Sequence, residues 1–425
     1  MNTTRAKNTF RAFKNRNYLL FFSGQSVSQV GTWMQRTGVS WLVYTTTHSN
    51  FMLGLTVFAS QFPSFLFSLF GGIISDRYNR YKILLFTQAA SMAQAILLAI
   101  LTLSGHYAIW QVLTLSVLLG IINAFDVPAR QPLIHEMIND KEDLPNALAL
   151  NSTINNLARM IGPALSGLVL MKFGAGICFL LNAISFVAVL ISLLIMKFPV
   201  HVLPTVKKKI VSEMAEGFTY LKQTPSISII LLMMSIVSLL VLPYDTLLPV
   251  FAKEIFKGNA ATFGYIGSFT GIGAITCAIF LASLKPGADL KIILLVNSVV
   301  LGVGLLLFSH THYFPLAMLF AMVFGFGAMS QTTICLTIVQ VHTDKKMRGR
   351  VMSFVAMAIF GMLPLGSLLT GFVSEHIGAP NTLLCQGIVA LIIAVTFSGF
   401  LRKDKLNKKG MQELEEAEDE MIKRI

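Results

Sequence analysis

Long apolar stretches alternate with short polar breaks along almost the whole chain. Three stretches lack Asp, Glu, Lys and Arg entirely, and each is long enough for two membrane-spanning helices of about 20 residues. These stretches are residues 37–75, 83–125 and 292–343, with polar breaks at 45–50, 104–107 and 310–312. Within them the apolar residues run continuously instead of alternating with polar ones, which favours helices over a barrel.

The pattern therefore predicts an all-α membrane protein with twelve transmembrane helices in two pseudo-symmetric six-helix bundles. The predicted spans, numbered 1–12, are residues 18–44, 51–74, 83–103, 108–127, 146–171, 177–197, 226–252, 262–284, 291–309, 313–341, 350–374 and 379–401.

The two sets of six spans resemble each other at an offset of about 200 residues. Asp140-Lys141 precedes span 5, which contains Pro163, and Asp344-Lys345 precedes span 11, which contains Pro364. We expect bundles at 1–197 and 226–401, a cytoplasmic linker with a surface helix at 198–225, and a cytoplasmic tail at 402–425. A parallel repeat of two six-span halves is typical of transporters whose substrate site lies between the halves.

Composition supports a membrane location. The 425 residues are 54% hydrophobic and 12% charged, whereas a soluble chain has about a quarter charged residues. The net charge of +13 does not indicate nucleic-acid binding, because 28 of the 33 Lys and Arg residues fall in the segments on the N-terminal side of the spans and three on the other. This bias predicts that both termini are cytoplasmic and that anionic lipid is a partner.

Few residues offer chemistry beyond binding. The four cysteines lie within apolar spans and form no paired motif, so we interpret them as packing residues. No phosphate-binding loop, metal-ligand spacing or clustered catalytic group occurs, so we expect no cofactor, no metal and no enzyme activity. The first apolar stretch has no small-residue cleavage site after it, and we expect it to be retained as a span.

Two motifs carry a resemblance to the major facilitator superfamily. Residues 72–82, Gly-Ile-Ile-Ser-Asp-Arg-Tyr-Asn-Arg-Tyr-Lys, resemble its signature loop between spans 2 and 3, with Asn79 where glycine is usual and Tyr81 interrupting the basic pair. Residues 159–167 resemble its antiporter motif, with Ala158 and Ser166 replacing two glycines.

Four further stretches resemble one branch, the bacterial twelve-span exporters of the transmembrane secretion effector kind, which include enterobactin and drug exporters. They are residues 31–36, 126–131, 247–252 and 348–351. The resemblance implies a monomeric, multi-pass protein of the bacterial inner membrane that exports a small amphipathic molecule, of the drug or siderophore class, by proton-driven antiport. An uptake permease of the same fold and a lipid flippase remain as alternatives, as does a multi-span enzyme.

The signature loop predicts a cytoplasmic latch between the halves. Gly72 would let a neighbouring helix approach, and the resemblance implies that Asp76 faces the start of span 11. Arg77 and Arg80 can pair with Asp126 at the end of span 4. The alternative is that these loop charges only set the topology.

Arg36 and Asp245 are charges within spans 1 and 7, at equivalent depths in the outer half. A charge at mid-span costs about 2.5–3.5 kcal/mol on insertion scales, so each needs a partner. We predict an ion pair that bridges the halves on the outside, with Asp245 as the candidate titratable group for proton coupling. Alternatively, each side chain reaches the outer headgroups separately.

A polar stripe on span 1 suggests a substrate cavity. Gln25, Gln29 and Trp33 lie on one helix face with Arg36, and the resemblance places spans 1, 4, 7 and 10 around a central cavity. Asn123 on span 4 and Gln331 on span 10 are further candidates. Hydrogen bonding between helices is the competing interpretation of each.

Span 5 carries two more features. Gly162 and Pro163 remove a backbone hydrogen bond and permit a bend, which is compatible with a moving or a purely structural kink. Arg159 in the same span has no obvious acidic partner in the sequence and is left unassigned.

Overall fold

A computed structural model describes residues 10–196, 210–285 and 287–400, so the predicted tail at 402–425 and the linker's residues 198–209 lie outside the described chain. The described part is all-helical, with thirteen main helices. They are α1 Arg16–Thr47, α2 Asn50–Arg77, α3 Arg80–Leu103, α4 Ile109–Glu136, α5 Leu144–Phe173, α6 Ala175–Ile195, α7 Ile210–Gln223, α8 Pro225–Ile255, α9 Ala260–Ala282, α10 Leu290–Ser309, α11 Phe314–His342, α12 Arg348–Ile377 and α13 Ala379–Phe400.

A helix occurs at each of the twelve predicted spans, and α7 is the predicted surface helix of the linker. Ten of the described helices are long and apolar enough to cross a membrane. The other two, α1 and α5, span 32 and 30 residues but are less apolar, since each carries an arginine and several amides. By length and apolarity alone, ten of the twelve predicted spans qualify as membrane-crossing helices.

Side-chain caps and single glycines set the helix ends. Ser49, Asn79, Asn259 and Asp289 accept backbone N–H bonds at the starts of α2, α3, α9 and α10, which satisfies donors that have no partner within the helix. Two glycines with positive φ form joints between helices: Gly174, with φ of 79°, joins α5 to α6, and Gly378, with φ of 81°, joins α12 to α13. These two joints are equivalent positions of the repeat.

Each set of six helices packs mainly on itself. In the first set, α1 packs on α5 and α6, α2 packs on α4, and α3 packs on α4 and α6. In the second, α11 packs on α9 and α10, and α8 packs on α11 and α12. A chain of buried polar groups joins α1, α3 and α6, because Asn182 donates to Gln35 at 2.8 Å and Gln35 donates to Gln94 at 3.0 Å.

The two sets meet chiefly through two helix pairs, α2 with α12 and α5 with α9. Glycines make both approaches close: Gly54 faces Gly371, and Gly167 faces Gly264. A Cβ added to Gly264 would lie 2.5 Å from the Pro163 carbonyl oxygen. Small residues at such crossings let helix backbones approach each other.

All of these contacts lie towards one end of the bundle. We call the end where α1 begins the N-side, and the opposite end the far side. On the far side, Glu375 of α12 accepts hydrogen bonds from the Ser49 hydroxyl at 3.2 Å and the Phe51 N–H at 3.0 Å, at the start of α2. Nearby, the Asn50 amide donates to the Ser374 hydroxyl at 2.9 Å.

On the N-side, the surroundings of two glycines, one in each set, are open. A Cβ on Gly72 of α2 or on Gly349 of α12 would meet nothing within 4 Å. The prediction that Gly72 makes a close helix approach is therefore wrong for this conformation. Its neighbour Gly71 makes that approach instead, against the backbone of Ala124 and Phe125 in α4. The structure is thus closed between the halves on the far side.

Candidate functional site

The charges at the centre of the bundle come from α1 and α8. The Arg36 Nη2 lies 3.3 Å from the Asp245 Oδ2, and this is the one ion pair between the two sets of helices among the described residues. Asp245 lies in a tight 3-10 segment, Leu242–Leu247, that interrupts α8 beside Pro243. About half of each side chain is exposed, 44% for Arg36 and 48% for Asp245, so the pair lines a space instead of being packed over.

Two guanidinium groups lie near the Trp33 indole. The Arg36 Cζ is 5.1 Å from the indole centroid, and the Arg159 Cζ of α5 is 5.8 Å from it. Both distances permit cation–π attraction. Arg159, which the sequence left unassigned, therefore belongs to the same cluster as Arg36 and Asp245.

A small cavity of about 40 Å³ lies within this cluster. Four helices line it, with Trp33 and Arg36 from α1, Arg159 from α5, Asp245 from α8 and Phe263 and Thr270 from α9. Holding one water molecule takes about 10–15 Å³ of such space, so the cavity admits only a few waters. A larger solute therefore needs more room than this cavity offers in this conformation.

The predicted polar stripe is only partly available to a solute. Gln29 and Asn123 are half-buried. Gln25 is 4% exposed, and its Oε1 has no hydrogen-bond partner in the described structure. Gln331 does not fit the cavity prediction, because it is 2% exposed and its Oε1 accepts a 2.8 Å bond from the Ser298 hydroxyl of α10. Gln331 joins two helices of the second set, the competing interpretation.

Gly162 and Pro163 lie where α1, α5 and α9 cross. A Cβ on Gly162 would lie 2.5 Å from the Cβ of Trp33, and a Cβ on Gly267 would lie 2.9 Å from the Cβ of Pro163. The pair thus permits close packing beside the charged cluster, and a bend at this point would move Trp33 and α9 together.

The signature-loop charges pair differently from the sequence prediction. Asp126 is 2% exposed and pairs with Arg130 of its own helix, while Thr87 and Gln88 of α3 donate to its Oδ1 at 2.9 and 2.7 Å. Arg80 pairs with Glu136 at 2.7 Å and with Asp76 at 3.5 Å. The expected contacts of Arg77 and Arg80 with Asp126 are therefore wrong here, because Arg130 lies one turn from Asp126.

Removing the Asp126 carboxylate should destabilise the first set of helices. Asp126→Ala leaves the Arg130 charge and the Gln88 amide without their acceptor, and losing one partner of a buried pair costs about 3–5 kcal/mol. We expect a clear fall in the thermal unfolding temperature of the detergent-solubilised protein. Asp76→Ala is the matched control, since that carboxylate is 65% exposed. An Asp126→Ala protein as stable as the control would contradict the role of this network.

Two interactions were not predicted from the sequence. The Gln35–Gln94–Asn182 chain could have been suspected, because amides within apolar spans need partners. The Glu375 contact with the start of α2 joins residues more than 320 positions apart, and no local sequence pattern predicts it. Among the described residues, no group of three or more His, Cys, Asp or Glu could hold a metal ion.

Solved structures share this architecture. The chain resembles a bacterial homologue of the human lysosomal transporter Spinster, crystallised in an inward-facing, unoccupied conformation, with a TM-score of 0.69, 13% identity, and coverage of 90% of this chain and 96% of that one. It also resembles a POT family transporter in complex with 5-aminolevulinic acid, with a TM-score of 0.72, 13% identity, and coverage of 91% and 96%. The fold is that of a major facilitator transporter.

Sequence comparison then gives the family. Residues 7–423 match the family described as "Transmembrane secretion effector", and the chain belongs to it. The chain is 29% identical to the staphyloferrin A transporter of Staphylococcus aureus over 91% of this chain and 96% of that protein. It is 19% identical to macrolide efflux protein A of Streptococcus pyogenes, with 89% and 94% covered. Identity to the enterobactin exporter of Shigella flexneri is 23%, with 83% and 86% covered. The protein is a multi-pass membrane transporter and not an enzyme.

Proposed function

We propose that this protein is a secondary active exporter of a small amphipathic organic molecule, of the siderophore or drug class, across the bacterial inner membrane. The observation that carries this proposal is the charged cluster at the junction of two helix sets that are joined on the far side and open on the N-side. Three relatives with matching length are named for siderophore transport or drug efflux. A solute taken from the N-side and released on the far side follows the direction of export.

The proposal includes twelve membrane crossings, with α1 and α5 spanning alongside the ten apolar helices. Both are long enough, since 30 residues of helix extend about 45 Å, and some of their polar groups, such as Gln35 and Ser166, have partners inside the bundle. The bias of Lys and Arg towards the N-side supports a cytoplasmic location for that side and for both termini. We propose units at 1–197, 198–225, 226–401 and 402–425, acting as a monomer with anionic lipid at the basic segments.

The latch belongs to the opposite conformation in this proposal. When the N-side closes, Gly72 and Asp76 of α2 approach the start of α12 near Gly349, the two places that are open here. Arg77 is then available to bridge to the second set, while Arg80 stays with Glu136. Alternating access exchanges these N-side contacts for the far-side contacts of Glu375 and Gly264.

We propose that protons drive the cycle through Asp245. It is a carboxylate inside the cluster, it pairs with Arg36 across the halves, and protonation would remove the attraction that joins α8 to α1. The ion pair and the proton thus compete for one carboxylate. A carboxylate that either forms the ion pair or binds a proton couples the far-side closure to proton binding.

Reconstitution tests the function directly. The purified full chain in proteoliposomes, with a pH-sensitive dye inside, is presented with a panel of drugs and iron-free siderophores. We expect at least one compound to move against a gradient of its own while protons move the opposite way, and Asp245→Asn to abolish the proton movement. Proton flux in the same direction as the solute would indicate uptake, and the absence of flux with every compound would refute the proposal.

A further inference from the structure

The central cluster carries more positive than negative charge. It contains two guanidinium groups and one carboxylate, and that carboxylate pairs with Arg36. Within the described parts of the chain, Arg159 has no Asp or Glu oxygen within 4 Å and no hydrogen-bond acceptor. One full positive charge is therefore left uncompensated near the middle of α5, halfway across the bundle.

The contact of Arg159 with Trp33 does not compensate this charge. A ring face at 5.8 Å attracts the cation weakly and accepts none of its five N–H donors in a conventional hydrogen bond. Arg36 shares the same indole at 5.1 Å. The indole thus positions the Arg159 side chain and leaves its hydrogen-bonding edge without a protein acceptor.

The surroundings of Arg159 restrict which ligand fits. Trp33, Pro163 and Phe263 line the same cavity and offer apolar and aromatic surface. A carboxylate matches the planar fork of a guanidinium with two parallel hydrogen bonds. An organic cation would have to displace Arg36 from Asp245 to find a counter-charge, and it would be repelled by Arg159.

We propose that the substrate is an organic anion whose carboxylate pairs with Arg159 while its apolar or aromatic part packs on Trp33 and Phe263. This inference rests on the proposed export function and names the chemical class that the site takes. Arg159 is the specificity-determining residue, and the Arg36–Asp245 pair stays intact when the anion binds from the N-side.

Three naphthalene compounds with one ring system and different charges test the proposal: 2-naphthoate, 2-naphthamide and 2-naphthylmethylammonium. Binding to the purified full chain in nanodiscs is measured by calorimetry. We expect 2-naphthoate to bind at least about 10-fold more tightly than the amide, because hydrogen bonds to charged groups contribute about 1.5–3 kcal/mol. The ammonium compound should bind more weakly than the amide.

Substitutions assign the preference to one residue. Arg159→Gln should bring 2-naphthoate down to the affinity of the amide and leave amide binding within about 3-fold, whereas Arg159→Lys should keep part of the preference. Lys172→Gln is the matched control, because it removes a positive charge from the exposed end of the same helix. It should leave the preference unchanged.

Equal binding of naphthoate and amide by the wild-type chain, or preference for the ammonium compound, would overturn the proposal even if Arg159→Gln failed to fold. A naphthoate preference that survives in Arg159→Gln would overturn the role of that residue. Failure here is distinct from failure of the export function: a chain that exports a neutral or cationic drug and ignores naphthoate remains an exporter. A chain that binds naphthoate and moves no solute does not.

Discussion

Neutralising either member of the Arg36–Asp245 pair is expected to reduce transport at least about ten-fold, which corresponds to about 1.4 kcal/mol in the rate-limiting step. The change leaves one charge without its partner at the junction of α1 and α8, and in our proposal closure of the far side depends on this pair. Arg36→Gln and Asp245→Asn test each side separately. Initial rates of solute transport in proteoliposomes, normalised to reconstituted protein, measure the effect.

Exchanging the two charges separates pairing from position. Arg36→Asp combined with Asp245→Arg restores the attraction, and we expect it to recover part of the transport lost in each single variant. Unfolding temperatures should stay within a few degrees throughout, because a half-exposed ion pair contributes only about 0–1 kcal/mol to stability. A double variant as inactive as the single ones, with normal folding, would show that the residues act independently.

Enlarging Gly264 is expected to force the far side open. A leucine side chain at this position starts 2.5 Å from the Pro163 carbonyl oxygen, closer than a Cβ can lie, so α5 and α9 must separate. We expect at least a ten-fold loss of transport and a shift of the population away from the far-side-closed state. Distances between spin labels at the exposed positions 46 and 257, measured in a cysteine-free background, should lengthen.

Gly399→Leu provides the control for this wedge. The same enlargement at Gly399, near the end of α13, meets nothing within 4 Å, so neither the label distances nor transport should change. Unchanged distances in Gly264→Leu with intact folding would mean that the α5–α9 crossing does not hold the far side closed.

Much of the fold follows from local patterns. Charge-free stretches with room for about two spans each, in which apolar residues run continuously, favour pairs of helices over a barrel, and the structure has a helix at each predicted position. Motif resemblance placed the chain in its family. The Arg36–Asp245 pair could also be predicted from the sequence. A charge in an apolar span is costly, so each residue needs a partner, and the two lie at equivalent depths in the two repeats.

The partners of the polar residues were less predictable. Gln331 lies on a span that the resemblance places around the cavity, but the rotation of the helix about its axis decides whether an amide faces the cavity or a neighbouring helix. Here Gln331 bonds Ser298. Asp126 had several arginines in reach along the sequence, and the nearest on its own helix, Arg130, pairs with it. The contacts of the signature loop also depend on which face of the bundle is closed, which no sequence pattern records.

For Arg159, the sequence showed that a partner was missing but not where the side chain lies. Its missing acid was visible in the sequence, but its place beside Trp33 required the crossing of α1 and α5, which depends on Gly162. A charge without a counter-charge became meaningful only when its neighbours in space were known.

Helices α8 and α12 of the second set contain irregular turns. Among the described residues, the wide π-type turns occur at Phe251–Ile255 of α8 and Met357–Gly361 of α12, and the 3-10 segment at Leu242–Leu247 also lies in α8. Their partners α1 and α2 run as unbroken α-helices. Broken backbone bonding concentrates bending at those turns. We therefore expect bending of α8 and α12 to concentrate at these turns, while α1, which contains no proline, stays straight.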